Sequence, residues 1–418
     1  MFASTFDLKN FSTNVEGISS TDKDHNNYCV CTCCSFSGRE DDLSNSVDSS
    51  INNASFQTMA NYLTSGYWSD RGSSSREWNL GSSGSNAKSG QITYSLGRNS
   101  FDYNGLYGGI PSVYRESFKL YEETLGIDFL EITGYTINAD IDVIDNDLLG
   151  SGAYASSLGM RDGKTQWGLT NISQSWVSYH GVDMGSYIWQ TVHHEIGHLL
   201  GLGHQGNYNG SVNYPTDLNF ANDSWQASIM SYVNQSKNTT VDADYAVLLT
   251  PSAVDWIALD NIYSDYSGFG VSNAFNGDTT FGFNTNISSS TSAIWSSFSS
   301  KIRTNAYCIV DGSGEDTLDL SEMTSNDKID LRPTDKNSTT LYASDIAGLK
   351  GNLHIAADTF IENCISGYGN DQIVGNNKNN IIDSGAGNDI INGGNGNDKL
   401  NGGSGNDKLI GGKGKDTA

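Results

Sequence analysis

Basic charge is scarce in this chain of 418 residues: 23 lysines and arginines stand against 48 aspartates and glutamates, a net charge of −25. Nucleic acid and anionic membrane surfaces would repel such a chain, so neither is expected as a partner. Proline is scarcer still at 4 residues, while glycine reaches 47. That mixture points to turns repeated at short intervals rather than to a structureless linker. No apolar run approaches the roughly 18 residues that a membrane-spanning helix needs. The opening MFASTFDLKN has no basic stretch followed by an apolar one, so no ordinary signal peptide is expected. The protein is then either cytoplasmic or exported by a route that does not read its N-terminus.

Cysteine is thinly and unevenly spread. Cys29, Cys31, Cys33 and Cys34 crowd together, and Cys308 and Cys364 stand alone. A C-x-C-x-C-C cluster neither staples a large core nor has zinc-finger spacing. It lies within residues 1–50, a polar and aperiodic stretch expected to be a disordered leader or propeptide. No role in the mature fold is expected of it; the sharper alternative is a thiolate that ligates a metal and keeps a precursor silent. Cys308 and Cys364 are either small buried apolar residues or a disulfide.

What is present begins with residues 194–204, H-E-I-G-H-L-L-G-L-G-H. On a helix His194 and His198 share one face, and Glu195 between them projects beside any metal they hold. Gly201 lets the chain leave the helix so that His204 completes a triad. Three neutral nitrogen ligands leave a tetrahedral zinc one open position, as catalytic rather than structural sites do. His193 falls on the wrong face and reads as a surface or packing histidine, like His25, His180 and His354.

Around this motif the periodicity predicts an α/β (α+β) catalytic domain with a mixed twisted sheet over residues 51–265. Phe56, Met59, Ala60 and Leu63 form one helical stripe. Residues 91–96, 127–133 and 139–144 read as strands, and 152–155 as an edge strand. Pro111 opens a helix with Tyr114, Phe118, Tyr121 and Leu125 on one face, ended by Gly126. The motif helix is expected from Tyr187 to Leu200. A last helix is expected to start at Thr250-Pro251, with Thr250 as its cap.

Residues 266–418 change character. From 366 a nine-residue repeat runs in register: SGYGNDQIV, GNNKNNIID, SGAGNDIIN, GGNGNDKLN, GGSGNDKLI and an incomplete GGKGKDTA. This period is the signature of an all-β parallel β-roll of calcium-binding (RTX) nonapeptides. Asp371, Asp389, Asp398, Asp407 and Asp416 hold the sixth position and are the expected calcium ligands, while Ile373, Ile382, Ile391, Leu400 and Leu409 point inward. Without the ion, repulsion among aspartates should keep the segment unfolded. Asn380 replaces the charge in the second unit, which also lacks two glycines, so a weaker site is expected there. The sequence stops inside the sixth unit, so this domain reads as truncated.

The zinc motif, Ser228-Ile229-Met230-Ser231-Tyr232 downstream of it and the nonapeptides together resemble the serralysins, zinc endopeptidases of the metzincin clan. The resemblance covers roughly residues 50–418. It implies that His194, His198 and His204 bind zinc and that Glu195 is the catalytic base. It makes Met230 the methionine of a structural turn below the metal, and Tyr232 both a zinc ligand at rest and a stabiliser of the oxyanion. It further implies calcium ligands at Gly277, Thr279, Asp311, Ser313, Gly314, Asp316 and Glu362. A secreted, extracellular, monomeric protease of broad specificity follows, made as a zymogen and exported by type I secretion machinery. An extended protein or peptide substrate is expected to pair with an edge strand near Gly152–Ser156. Gln205 departs from the family, which has proline there, and so do the cysteines. The alternative is a calcium-dependent surface- or matrix-binding RTX protein with a vestigial protease site. A lipase bearing the same repeats is not supported, because no G-x-S-x-G elbow is present.

Overall fold

A computed structural model describes residues 51–81, 90–97, 102, 105–134, 139–146, 152–158 and 163–418, together with the backbone pairing of Cys29–Cys31. His25, Cys33 and Cys34 lie outside the described residues. The first half is built on a six-stranded sheet in the order Cys29–Cys31, Ala153–Leu158, Trp167–Ile172, Ile141–Ile144, Gln91–Ser95, Asp128–Glu131. The last four of these run parallel to one another. Ala153–Leu158 runs antiparallel to its neighbour, which makes the sheet mixed. Alternation decides which faces meet the core: in Gln91–Ser95, Ile92 and Tyr94 are buried between half-buried Gln91 and Thr93.

Helix Ile110–Leu125 crosses between two of the parallel strands, with proline in its first turn. Its stripe of Tyr114, Phe118, Tyr121 and Leu125 is buried, and left-handed Gly126 ends it. The N-terminal stripe departs from a single regular helix. Phe56–Asn61 is α-helical, Tyr62–Gly66 widens into a π-helical turn, and Tyr67–Asp70 resumes the α form. The wider turn still buries Leu63. The helix expected to start at Thr250-Pro251 also begins later, at Ala253, and the short helices Ala293–Ser296 and Phe298–Lys301 follow it. Ser252 and Asp255 cap it reciprocally, while the Thr250 hydroxyl accepts the Cys308 N–H instead.

Beyond residue 270 two sheets of mostly parallel strands face each other, one of five strands and one of seven that Val247–Leu248 extends to eight. Ile382 pairs with Cys364 and Leu400 in the first, and Ile373 with Ile391 in the second. Their side chains fill the space between the sheets as one hydrophobic core that continues to Phe56 in the first half. Cys308 and Cys364 are both buried free thiols, which removes the disulfide alternative. The halves are also joined by backbone. Val247–Leu248 pairs in parallel with Asn305–Ile309, and the Gln190 side chain of the motif helix accepts the Leu248 N–H.

Because Ile382 is fully enclosed, Ile382→Ala should lower stability by about 2–5 kcal/mol. Denaturant unfolding in saturating calcium reads this directly.

Candidate metal centre

The motif helix Tyr187–Leu199 is buried along almost its whole length. Its last carbonyls lack partners within the helix and are met from outside. Trp78 Nε1 donates to Leu199 O at 2.8 Å, and the Tyr263 hydroxyl to Leu200 O at 2.9 Å. Gly201, at φ 110°, then turns the chain, and Trp68 Nε1 donates to its carbonyl. A side chain at 201 would run into the Arg76 carbonyl, so only glycine lets the chain pass here.

That turn brings His204 to the other two histidines. Its Nε2 stands 3.3 Å from His194 Nε2 and 3.0 Å from His198 Nε2. Each ring is aimed through its other nitrogen. Nδ1 of His194 donates to Ile229 O, of His198 to Leu202 O and of His204 to Tyr208 O. A carbonyl can only accept, so in the neutral ring the proton sits on Nδ1 and the Nε2 lone pairs converge. Burial keeps the rings neutral, with the His194 pKa lowered to about 4 and those of His198 and His204 well below the usual range. Three lone pairs this close repel unless a cation lies among them. Nitrogen donors at this number and spacing suit zinc. Among the described residues this is the one cluster of three or more such ligands.

Glu195 is fully buried, and neither carboxylate oxygen meets a donor from the protein. Burial raises its pKa well above the usual carboxylate range, which equips it to take up a proton. The Tyr232 ring lies 4.5 Å from that of His204, centroid to centroid, and its hydroxyl accepts the Gly210 N–H at 3.4 Å. Met230 packs beneath the helix, where a Cβ at Gly197 would stand 2.7 Å from its sulfur. His193 is a packing histidine: it is fully buried, lies against the Tyr121 ring, and has its pKa lowered to about 3 by burial. Gln205 is buried as well and reaches back to Met59 O at 3.4 Å. Its side chain therefore ties the third histidine to the N-terminal helix and does not form an exposed rim.

Sequence reasoning missed the carboxylate that holds the turn at 228–232. Asp255 accepts the Ser228 hydroxyl at 2.6 Å, the Ile229 N–H at 2.7 Å and the Ser252 N–H at 2.8 Å. It thereby fixes the carbonyl that orients His194. Burial pushes its pKa up to about 6, against the opposing effect of these donors. The signal was the S-x-x-D spacing of Ser252 and Asp255, a capping box. His354, from the second half, reaches the same cap: its Nε2 lies 2.9 Å from Ser252 Oγ.

The other proposed ligands gather in two places. Gly277 N–H donates to Ser313 O at 2.6 Å, and Thr279 N–H to Asp316 Oδ1 at 2.7 Å. Glu362 accepts the Asp316 N–H, and a Cβ at Gly314 would strike Gly277 O. Asp311 completes the group, its pKa raised by burial and by the adjacent Asp316 carboxylate. Two buried carboxyl groups among carbonyl oxygens, each hard to ionise beside the other, fit a hard cation such as calcium. Asp371, Asp389, Asp398, Asp407 and Asp416 line the two edges of the stacked turns. Asp327 joins them unpredicted, since its N–H donates to Asp371 Oδ1 at 2.8 Å. Asn326-Asp327-Lys328-Ile329 repeats the N-D-K-U pattern at 397–400 and 406–409, and that was its signal.

His354 supplies a pH test. Burial lowers its pKa to about 4, below the 6.5 of an open chain. Between these values the unfolded chain binds a proton that the folded one refuses. Its contribution to stability is therefore complete above pH 6.5 and is lost as pH falls towards 4, by up to about 1.4 kcal/mol per pH unit. Urea titrations across that window should show a shallower slope for His354→Gln.

Comparison with known proteins agrees with this geometry. Residues 183–253 match a family described as Met-zincin, and residues 272–418 the serralysin C-terminal family of peptidase M10. Metallopeptidase AprA of Pseudomonas marginalis is 38% identical over 236 residues, covering 55% of this chain and 46% of its own length. A serralysin of Photorhabdus luminescens is 34% identical over 273 residues, or 64% of this chain and 52% of its own. Serralysin C of Dickeya chrysanthemi is 35% identical over 224 residues, 53% and 42% of the two chains. The chain spans about half the length of the curated relatives it matches. One polypeptide thus matches the Met-zincin family over 183–253 and the serralysin C-terminal family over 272–418, and its resemblance to the serralysins rests on both.

Proposed function

We propose that this protein is a zinc-dependent endopeptidase of broad specificity stabilised by calcium, with a leader over 1–50, a catalytic domain over 51–265 and a calcium-binding β-roll over 266–418. The observation that carries the reading is the convergence of three neutral Nε2 atoms beside a buried, donor-free Glu195. His194, His198 and His204 would hold zinc, which when bound supplies Lewis acidity towards a peptide carbonyl. Glu195, its proton affinity raised by burial, takes a proton from the attacking water and hands it to the leaving amine. The Tyr232 hydroxyl donates to the carbonyl oxygen as negative charge develops there.

An extended substrate would lie along Ala153–Leu158. The antiparallel pairing of Cys29–Cys31 with Ala153–Ala155 supports this reading, because that edge accepts an extended backbone. It also supports a zymogen, with the leader across the edge that substrate needs. The β-roll reading is supported by turns stacked 18 residues apart, in which Asp371 N–H donates to Asp389 Oδ1 and Asp389 N–H to Asp407 Oδ1. Among the described residues no helix is long and apolar enough to cross a membrane. Secretion by type I machinery, an extracellular location and a monomeric state accompany the family likeness. The binding-protein alternative is disfavoured by the intact Glu195 and histidine set.

Glu195→Ala should keep its zinc and lose casein hydrolysis, with kcat falling by about 10²–10⁴-fold; retained hydrolysis would remove the mechanism. Tyr232→Phe should lower kcat by about 10²–10³-fold with KM little changed. Protein starting at residue 51 should turn over a short peptide faster than protein that retains residues 1–50.

A further inference from the structure

The stacked turns repeat one hydrogen-bonding device. Asp371, Asp389 and Asp398 each send their backbone N–H to a carboxylate oxygen 18 residues later, at 2.9, 3.0 and 3.1 Å. The second carboxylate oxygens of Asp389 and Asp398 are buried and meet no donor from the protein. Anionic oxygens enclosed in this way require a cation.

The turn Gly375–Asn380 keeps the device towards the next turn, Asn380 N–H donating to Asp398 Oδ1 at 2.8 Å, but towards the preceding turn it is replaced. Asn380 Oδ1 accepts the Asn376 N–H at 2.9 Å. Its Nδ2 donates to Glu362 O at 2.9 Å and to Asn376 Oδ1 at 3.3 Å. Asn376, where later repeats have glycine, directs its own Nδ2 to Ile361 O at 2.9 Å and Leu331 O at 3.2 Å. Both asparagines are buried. The backbone differs as well. Gly394 and Gly396 in the next turn on this side have φ 101° and 129°, and Gly412 and Gly414 in the one after have 102° and 150°. Asn376 and Lys378 hold the matching positions without a left-handed φ.

We propose that the step between the turn ending at Glu362 and the turn Gly375–Asn380 binds no calcium and is closed by the two asparagine amides instead. Each amide presents N–H groups to the carbonyls of Ile361 and Glu362, so a cation there would face the positive ends of donors rather than free lone pairs. The Glu362 carboxylate belongs to the preceding step, with Asp316, and only its carbonyl meets Asn380. This step therefore stands in the absence of the ion, while its neighbours depend on it. The inference rests on the calcium reading of the repeats and sharpens it.

Two measurements on the full chain test it. In saturating calcium, Asn376→Gly/Asn380→Asp should carry one more calcium per chain than the wild type by elemental analysis; equal counts would overturn the proposal. Should the variant fail to fold, wild-type crystals grown in calcium decide through anomalous scattering. Peaks at the Asp389–Asp407 and Asp398–Asp416 steps, with none between Glu362 and Asn380, are the expected result. A peak at that step overturns the inference alone. Calcium at none of the steps overturns the calcium reading and the inference together.

Discussion

The metal centre depends on three backbone carbonyls. Ile229, Leu202 and Tyr208 each fix one imidazole through Nδ1, and this compels three Nε2 lone pairs to meet in a buried space. Mutual repulsion at that point must be offset by everything that keeps the carbonyls where they are. Leu202 is placed by the glycine turn that ends the helix, Ile229 by the Asp255 carboxylate, and Tyr208 by its hydroxyl on Asp223 at 2.8 Å. The second half reaches one of these supports through His354 and Ser252.

Much of this was legible in advance because its signals are local. The spacing of His194, His198 and His204 follows from helical geometry and one glycine, and residues 187–199 do form the helix. The parallel strands after 366 were marked by a period and an inward aliphatic residue. The illegible parts depend on contacts between distant residues. For His193 the surface and packing readings stayed open, and packing holds, because nothing near it in sequence announces that Tyr121 lies close by. Gln205 stood out only as a departure from the family's proline, because its partner Met59 lies far off in sequence. Asp255 and Asp327 carried recognisable local spacings, but their partners lie 26 to 27 residues away in one case and 44 in the other.

The two kinds of metal environment differ in how they treat charge. At the zinc-type centre the ligands are neutral, and burial alone is enough to keep them so. Along the stacked turns the candidate ligands are carboxylates, and every turn that adds an aspartate adds repulsion that a further cation would relieve. A net charge of −25 is therefore unevenly tolerable, being mild around the histidines and demanding in the C-terminal half.

The short pairing of Val247–Leu248 with Asn305–Ile309 has a mechanical corollary. Those two residues are held by the second half's sheet on one side and by Gln190 of the motif helix on the other. A segment pinned at both flanks cannot serve as a hinge, so the motif helix and the second half's sheet move as one body.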